Sequence, residues 1–291
     1  MNTLRGTGIA MITPFKGDKS IDFEALTALT NHLIEGGVDY LVVMGTTAES
    51  PTLNKIEKIK VLDHVIQIND GRLPIVYGMG GNSTQALIEE FKQVDLVGVS
   101  AILSASPYYN KPSQRGIIEH YTKIADTASK PIILYNVPGR TSSNMEAPTT
   151  IELANHENII AVKEASGSLE QVMHIINEKP EEFLVISGED ILTYPMLALG
   201  GEGVISVVGN AFPKMLSEMV NSALKGDYPN ARKNHYNLLK VTECLFQDGN
   251  PAGVKACLKM MGICEEKLRL PLVPVNKATR RALEFQMEEL S

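Results

Sequence analysis

Lys163 closes an apolar run, Ile159-Ile160-Ala161-Val162-Lys163, rather than sitting on a solvated helix face. Loss of hydration disfavours an ammonium in such a position, and the uncharged amine is the form that attacks a ketone to make a Schiff base. Read blandly, the same residue is a strand-end lysine whose head snorkels to water. Its companions bear on the choice. Gly45-Thr46-Thr47-Ala48-Glu49-Ser50 offers two adjacent hydroxyls and backbone NH groups able to hold a carboxylate, or simply a capping turn. Ser106-Pro107-Tyr108-Tyr109-Asn110-Lys111-Pro112 places two phenols in a loop stiffened by prolines, where they can move protons or anchor an interface. In Leu134-Tyr135-Asn136-Val137-Pro138-Gly139-Arg140-Thr141, Tyr135 adds a third phenol and Arg140 a planar fork for a carboxylate. Their structural alternatives are a core ring and a surface ion pair.

These segments need a frame that brings them to one place. Short apolar runs alternate with stretches of helical periodicity, near Gly8 to Ile12, Tyr40 to Met44, Ile75 to Gly78, Val97 to Leu103, Ile132 to Asn136, Ile159 to Lys163, Phe183 to Ser187 and Gly203 to Val207. Each is apolar on both faces, as parallel strands covered by helices should be. Between them Ile59, Leu62 and Ile66 share one helical face, Leu87, Phe91 and Val94 another, and Ile117, Tyr121 and Ile124 a third. In the eighth helix Pro213 suits the first turn, Leu216, Met219, Val220 and Ala223 form the stripe, and Gly226 supplies a left-handed stop. Eight strand-helix units predict an α/β fold, a closed (β/α)8 TIM barrel over residues 1–226, and a C-terminal helical region over 227–291. In that fold chemistry sits at the carboxyl ends of the strands, and each segment named above follows a strand. Ser187-Gly188-Glu189-Asp190 and Gly203-Val204-Ile205-Ser206 occupy the same kind of place with weaker signals.

Composition narrows the classes. A formal charge of −7 leaves no general basic surface for a phosphate backbone, which argues against nucleic acid as a partner. The N-terminal stretch lacks a basic segment followed by an apolar core, and no apolar run reaches bilayer length, so the expectation is a cytoplasmic protein with no membrane partner. Cys244, Cys257 and Cys264 lack CxxC spacing and read as buried thiols. The six histidines show no metal-ligand spacing, and Gly78-Met79-Gly80-Gly81 lacks the lysine and hydroxyl of a nucleotide loop.

Taken in order, Gly45 to Ser50, Pro107 to Pro112, Tyr135 to Thr141 and Lys163-Glu164-Ala165-Ser166-Gly167 resemble the pyruvate-dependent aldolase family that contains the dihydrodipicolinate synthases and N-acetylneuraminate lyase. The likeness covers essentially the whole chain. It implies that Lys163 condenses with pyruvate, that Tyr135, Thr46 and Tyr109 relay protons, and that Tyr109 crosses from a neighbouring subunit. It further implies that Thr47 holds the pyruvate carboxylate, Arg140 that of a second substrate, aspartate semialdehyde, and that Gly188 and Ile205 line the pocket. No metal or diffusible cofactor is required, and a homo-oligomer is expected, a tetramer built as a dimer of dimers. The product would be 4-hydroxy-tetrahydrodipicolinate, the first committed step toward diaminopimelate and lysine.

The alternatives are a 2-keto-3-deoxy sugar-acid aldolase or an N-acetylneuraminate lyase, against which Arg140 argues because the lyases resemble this chain at Tyr135 and Lys163 but typically lack that arginine. A catalytically idle barrel is a further alternative, opposed by the retained amine, phenols and guanidinium. The chain departs from the family pattern at Ala48, where glycine is usual. Asn82, Tyr108 and Ser50 match the family's effector pocket, but Ala86 stands where lysine-inhibited relatives carry glutamate, and Lys55 and Lys58 where they carry histidine. Weak or absent inhibition by lysine is therefore expected.

Overall fold

A computed structural model describes residues 4–290; residues 1–3 and 291, the outermost positions of the two expected regions and part of the N-terminal stretch read above, lie outside it. Eight parallel strands close a barrel in chain order. They are β1 Gly6–Ala10, β2 Tyr40–Val43, β3 Ile75–Gly78, β4 Ala101–Ala105, β5 Ile132–Asn136, β6 Ile159–Glu164, β7 Leu184–Ser187 and β8 Gly203–Ser206. The register of β8 on β1 completes the cylinder, with Gly8 opposite Ile205.

The strands bury both faces because two cores flank them. Ala10, Val42, Val76, Leu103, Ile133, Tyr135, Ala161, Ile186 and Ile205 pack inside the cylinder. Outside it, residues such as Ile9, Leu41, Ile75, Ile102, Leu134 and Val162 meet the surrounding helices. Side chains alternate along a strand, so Lys163, two residues after Ala161, shares the inward side of β6.

The helices start where their caps dictate. Asp22 receives the Ala25 N–H at the start of α1 (Phe23–Glu35), and Asn54 and Glu57 form a reciprocal box opening α2 (Lys55–Asn69). Ser83, Ser113 and Ser168 cap α3 (Thr84–Gln93), α4 (Gln114–Thr127) and α7 (Leu169–Glu178) in the same way. Between α4 and α7 lie the short α5 (Pro138–Thr141) and α6 (Ala147–Ala154). After α8 (Thr193–Ala198), α9 (Pro213–Leu224) buries the expected stripe, and Gly226 takes φ +80 just beyond its end. Helices α10 (Tyr228–Phe246), α11 (Ala252–Met260) and α12 (Lys277–Glu289) follow, with no strand among the described residues after β8.

Three local expectations are corrected. Strand β4 begins at Ala101 rather than Val97, because Asp95 receives the Val97 N–H, Gly98 turns at φ +82, and Val97 is left 77% exposed. The buried face of α2 is Val61, Leu62 and Val65, with Ile59 exposed; apolar residues at 56, 59, 61, 62, 65, 66 and 68 run most of the way round, so periodicity alone admits more than one stripe. Cys257 and Cys264 are buried, whereas Cys244 is only half-buried.

Candidate active site

Strand β6 carries Lys163 to the open end of the barrel, where it pairs in register with Tyr135 of β5 and Ile186 of β7. Lys163 is 5% exposed, and its Nζ lies 4.3 Å from the centre of the Tyr135 ring. Among the described residues it has no carboxylate within ion-pair distance. Gly188, directly after β7, presses on the lysine stem. A Cβ at that position would sit 3.0 Å from Lys163 Cγ, 3.1 Å from its Cε and 2.8 Å from the Ala165 side chain. Ile205 is buried on β8 on the inner side of the cylinder.

Next to the Tyr135 ring opens a cavity of about 360 Å³ whose wall includes Thr46, Tyr135 and Arg140, together with Ser50, Lys58, Glu90 and Tyr108, but not Lys163, Thr47, Gly188 or Ile205. Arg140, on α5, is exposed and has no carboxylate partner among the described residues, so the ion-pair reading of this residue does not apply. Thr46 and Tyr135 face the same space, but no direct hydrogen bond joins their hydroxyls.

Thr46 and Thr47 ride on a single 3₁₀ turn, Thr46–Ala48, which meets a second one, Ser50–Thr52, at Glu49 with φ 57. Thr47 is buried, and its Oγ1 accepts from Asn250 Nδ2 at 2.9 Å, which leaves its own O–H free to donate. Glu49 is fully buried against Lys255 of α11, with Oε1 2.5 Å from Nζ. Its second oxygen accepts from the Arg269 backbone N–H at 2.9 Å. Burial pulls the Lys255 ammonium below the usual lysine range, opposed by the charge of Glu49.

The remaining expected residues are dispersed. Tyr109 does not line its own chain's cavity and is 89% exposed at φ +70. Asn82 is exposed and spends its side-chain oxygen on the Tyr108 N–H at 2.9 Å.

Two carboxyls, Glu189 and Asp190, follow Gly188 after β7. Asp190 is buried and pushed above its ordinary range by desolvation, against the hydrogen bonds of Ser206 and the Val208 and Val207 N–H groups. Glu189 is raised by burial and by Asp190, with Lys163 and Arg140 acting in the opposite direction. Asn250 and Lys255 are not among the expected site residues, and Glu189 and Asp190 enter only within the weaker signal after the seventh strand. The first two are some two hundred positions from the turn they touch, and no local spacing announces them.

Glu164, next to Lys163 but facing outward, accepts from Asn136 Nδ2 at 3.0 Å, Gln171 Nε2 at 3.0 Å and the Ser166 N–H at 2.6 Å. That network clamps the ends of β5 and β6, and with them Tyr135 and Lys163. Among the described residues no three His, Cys, Asp or Glu side chains cluster as metal ligands, and no helix is long and apolar enough to cross a membrane.

The sequence profile of the dihydrodipicolinate synthetase family matches residues 3–290. The chain is 52% identical over 289 residues to a 4-hydroxy-tetrahydrodipicolinate synthase of Parabacteroides distasonis, covering 99% of this chain and 97% of that protein. Its fold is similar to the crystal structure of dihydrodipicolinate synthase from Thermotoga maritima, with TM-score 0.96, 38% identity, and 99% and 98% of the two chains covered. It is also similar to a dihydrodipicolinate synthase variant characterised as the first monomeric one, with TM-score 0.96, 37% identity and coverage of 99% and 97%.

Proposed function

The chain belongs to the dihydrodipicolinate synthetase family, and from that premise we propose that it condenses pyruvate with L-aspartate 4-semialdehyde through an imine at Lys163. It is a lyase, a 4-hydroxy-tetrahydrodipicolinate synthase acting in diaminopimelate and lysine biosynthesis. The observation that carries the reading is a buried lysine with no ion-pair partner, 4.3 Å from the ring of Tyr135, which in turn lines a cavity shared with an unpaired arginine.

The amine of Lys163 adds to the keto carbon of pyruvate and expels water, giving an iminium that acts as an electron sink. Loss of a methyl proton then yields an enamine, whose terminal carbon attacks the aldehyde carbon of the second substrate. The substrate's own amine displaces Lys163 by transimination, closing the ring and regenerating the free lysine. Tyr135 and Thr46, facing one cavity, and Tyr109 of a neighbouring subunit shuttle the protons. Thr47, whose hydroxyl proton is left free by Asn250, and the neighbouring backbone N–H groups hold the pyruvate carboxylate. Arg140 holds the carboxylate of the semialdehyde with its planar fork. All the chemistry belongs to side chains, and no diffusible cofactor enters it. The nearly complete exposure of Tyr109 supports its donation across an interface within a tetramer of tight dimers. The enzyme works in the cytoplasm.

Borohydride reduction in the presence of pyruvate tests the reading. It should add a pyruvate-derived mass at Lys163, and Lys163→Ala should abolish the adduct. A protein that forms no adduct is not a Schiff-base enzyme. Offering aspartate semialdehyde and sugar aldehydes in separate assays tests the second substrate, and preference for a sugar aldehyde would overturn it.

A further inference from the structure

The 3₁₀ turn carrying Thr46 and Thr47 is hinged to the next one at a left-handed glutamate, Glu49. A residue with a Cβ persists in that conformation only where its surroundings over-determine it. Here the surroundings come from the far end of the chain. Lys255 Nζ meets Glu49 Oε1 at 2.5 Å and donates to the Lys267 carbonyl at 2.8 Å, while the Arg269 N–H takes Glu49 Oε2 at 2.9 Å. Two residues earlier, Asn250 donates to Thr47 Oγ1 at 2.9 Å.

Neither contact is what stability alone would select. A fully buried ion pair adds little over well-packed apolar groups, because desolvation cancels most of the attraction, whereas its geometry is specific. Asn250 keeps its Oδ1 buried without a protein partner among the described residues, so the amide carries a desolvation cost that its one hydrogen bond only partly offsets. What the amide supplies is direction, since it occupies a lone pair of Thr47 and leaves the hydroxyl proton to point elsewhere.

We propose that Asn250 and the Glu49–Lys255 pair are positioning residues, through which the C-terminal helical region fixes the place of the Thr46–Thr47 turn and the direction of the Thr47 hydroxyl. The inference rests on the pyruvate reading given above. A displacement of about 1 Å in such a turn costs up to about a hundredfold in rate.

Two variants of the full chain test it. Asn250→Leu preserves size and removes the donor. Glu49→Gln combined with Lys255→Met removes both charges at once and spares the fold the unpaired charge that either single change leaves. For each, kcat and KM for both substrates are measured beside the thermal midpoint and borohydride trapping of pyruvate. Both variants should keep a native midpoint and a trapped Lys163, while KM for pyruvate rises about tenfold and kcat falls about tenfold to a hundredfold. Native kinetics in the variants, with trapping intact, overturn this proposal alone, as does a loss of activity fully explained by the unfolded fraction. Absence of trapping in the native protein overturns the Lys163 reading and this proposal with it. If the double variant does not fold, Asn250→Leu decides.

Discussion

Arg140 stands at the cavity rim, exposed and without a carboxylate partner among the described residues, so its removal should touch the second substrate and little else. A charge-assisted bidentate contact contributes about 1.5 to 3 kcal/mol, so Arg140→Ala should lower kcat/KM for aspartate semialdehyde about tenfold to a hundredfold. The pyruvate adduct at Lys163 should survive, and a variant that loses it would contradict the assignment. Gly188 is a second single-residue test. The methyl group of Gly188→Ala would lie within 3.1 Å of two carbons of the Lys163 stem and force the amine aside, so the rate of adduct formation should fall at least about tenfold. At this scale the sequence is half legible. A lone lysine in an apolar run describes Lys163, and it describes Lys255 equally well, within Ala252-Gly253-Val254-Lys255-Ala256-Cys257-Leu258. The two differ in their partners: Glu49 meets Lys255 inside the protein, while Lys163 faces a tyrosine ring. Strand-end position within a barrel pattern singles out Lys163, but the partner of Lys255, 206 residues away in the chain, is a tertiary fact that no local pattern carries.

Among the elements, hydrophobic runs located all eight strands because a parallel strand buried on both faces leaves a continuous apolar signature. The same logic failed where a run began in a turn, at Val97, and where apolar residues surround a helix, at Ile59, because exposure depends on what packs against the element. Two helices contribute one side chain each to the cavity wall. From α2 comes Lys58, at a position where lysine-inhibited relatives are expected to carry histidine, and from α3 comes Glu90, one turn beyond Ala86. Asn82, the matched effector residue, already accepts from the Tyr108 N–H. A cation in the wall and a missing carboxylate at Ala86 disfavour a lysine ligand, so about 1 mM lysine should leave most of the activity in place, below the threshold of a specific site. Half-inhibition at submillimolar lysine would show that Glu90 takes over the role of the absent glutamate, and Glu90→Gln should then relieve it.

The whole molecule carries two signatures that no single element explains. One is acid sensitivity. Burial pulls the His120 imidazole down to about 4 from 6.5, and His32 and His235 shift in the same direction. At these histidines the native chain therefore holds fewer protons than the unfolded chain between pH 6.5 and about 4, so the stability they contribute is fully present above that window and declines as pH falls through it. The His120 part is on the order of 2 to 3 kcal/mol. Urea midpoints at pH 7 and pH 4.5 should show the decline, and His120→Asn, which can keep the contact to Thr84, should flatten it. An identical slope in the variant would assign the effect elsewhere. The other signature is assembly. Tyr109 is 89% exposed on its own chain, yet the proposed relay needs its phenol, so each working site must borrow it from a neighbour. Two inactive variants should then repair one another. In a mixed dimer of Lys163→Ala with Tyr109→Phe, the site that retains Lys163 receives a native Tyr109 from the other chain, and the second site has neither. Equal mixing with free exchange puts half the chains in mixed dimers and activates one of their two sites, so about a quarter of native activity should return. Recovery demands exchange, so unfolding and refolding the variants together should restore activity that refolding them separately does not. No recovery, with mixed dimers demonstrated by mass, would place the third proton carrier within a single chain.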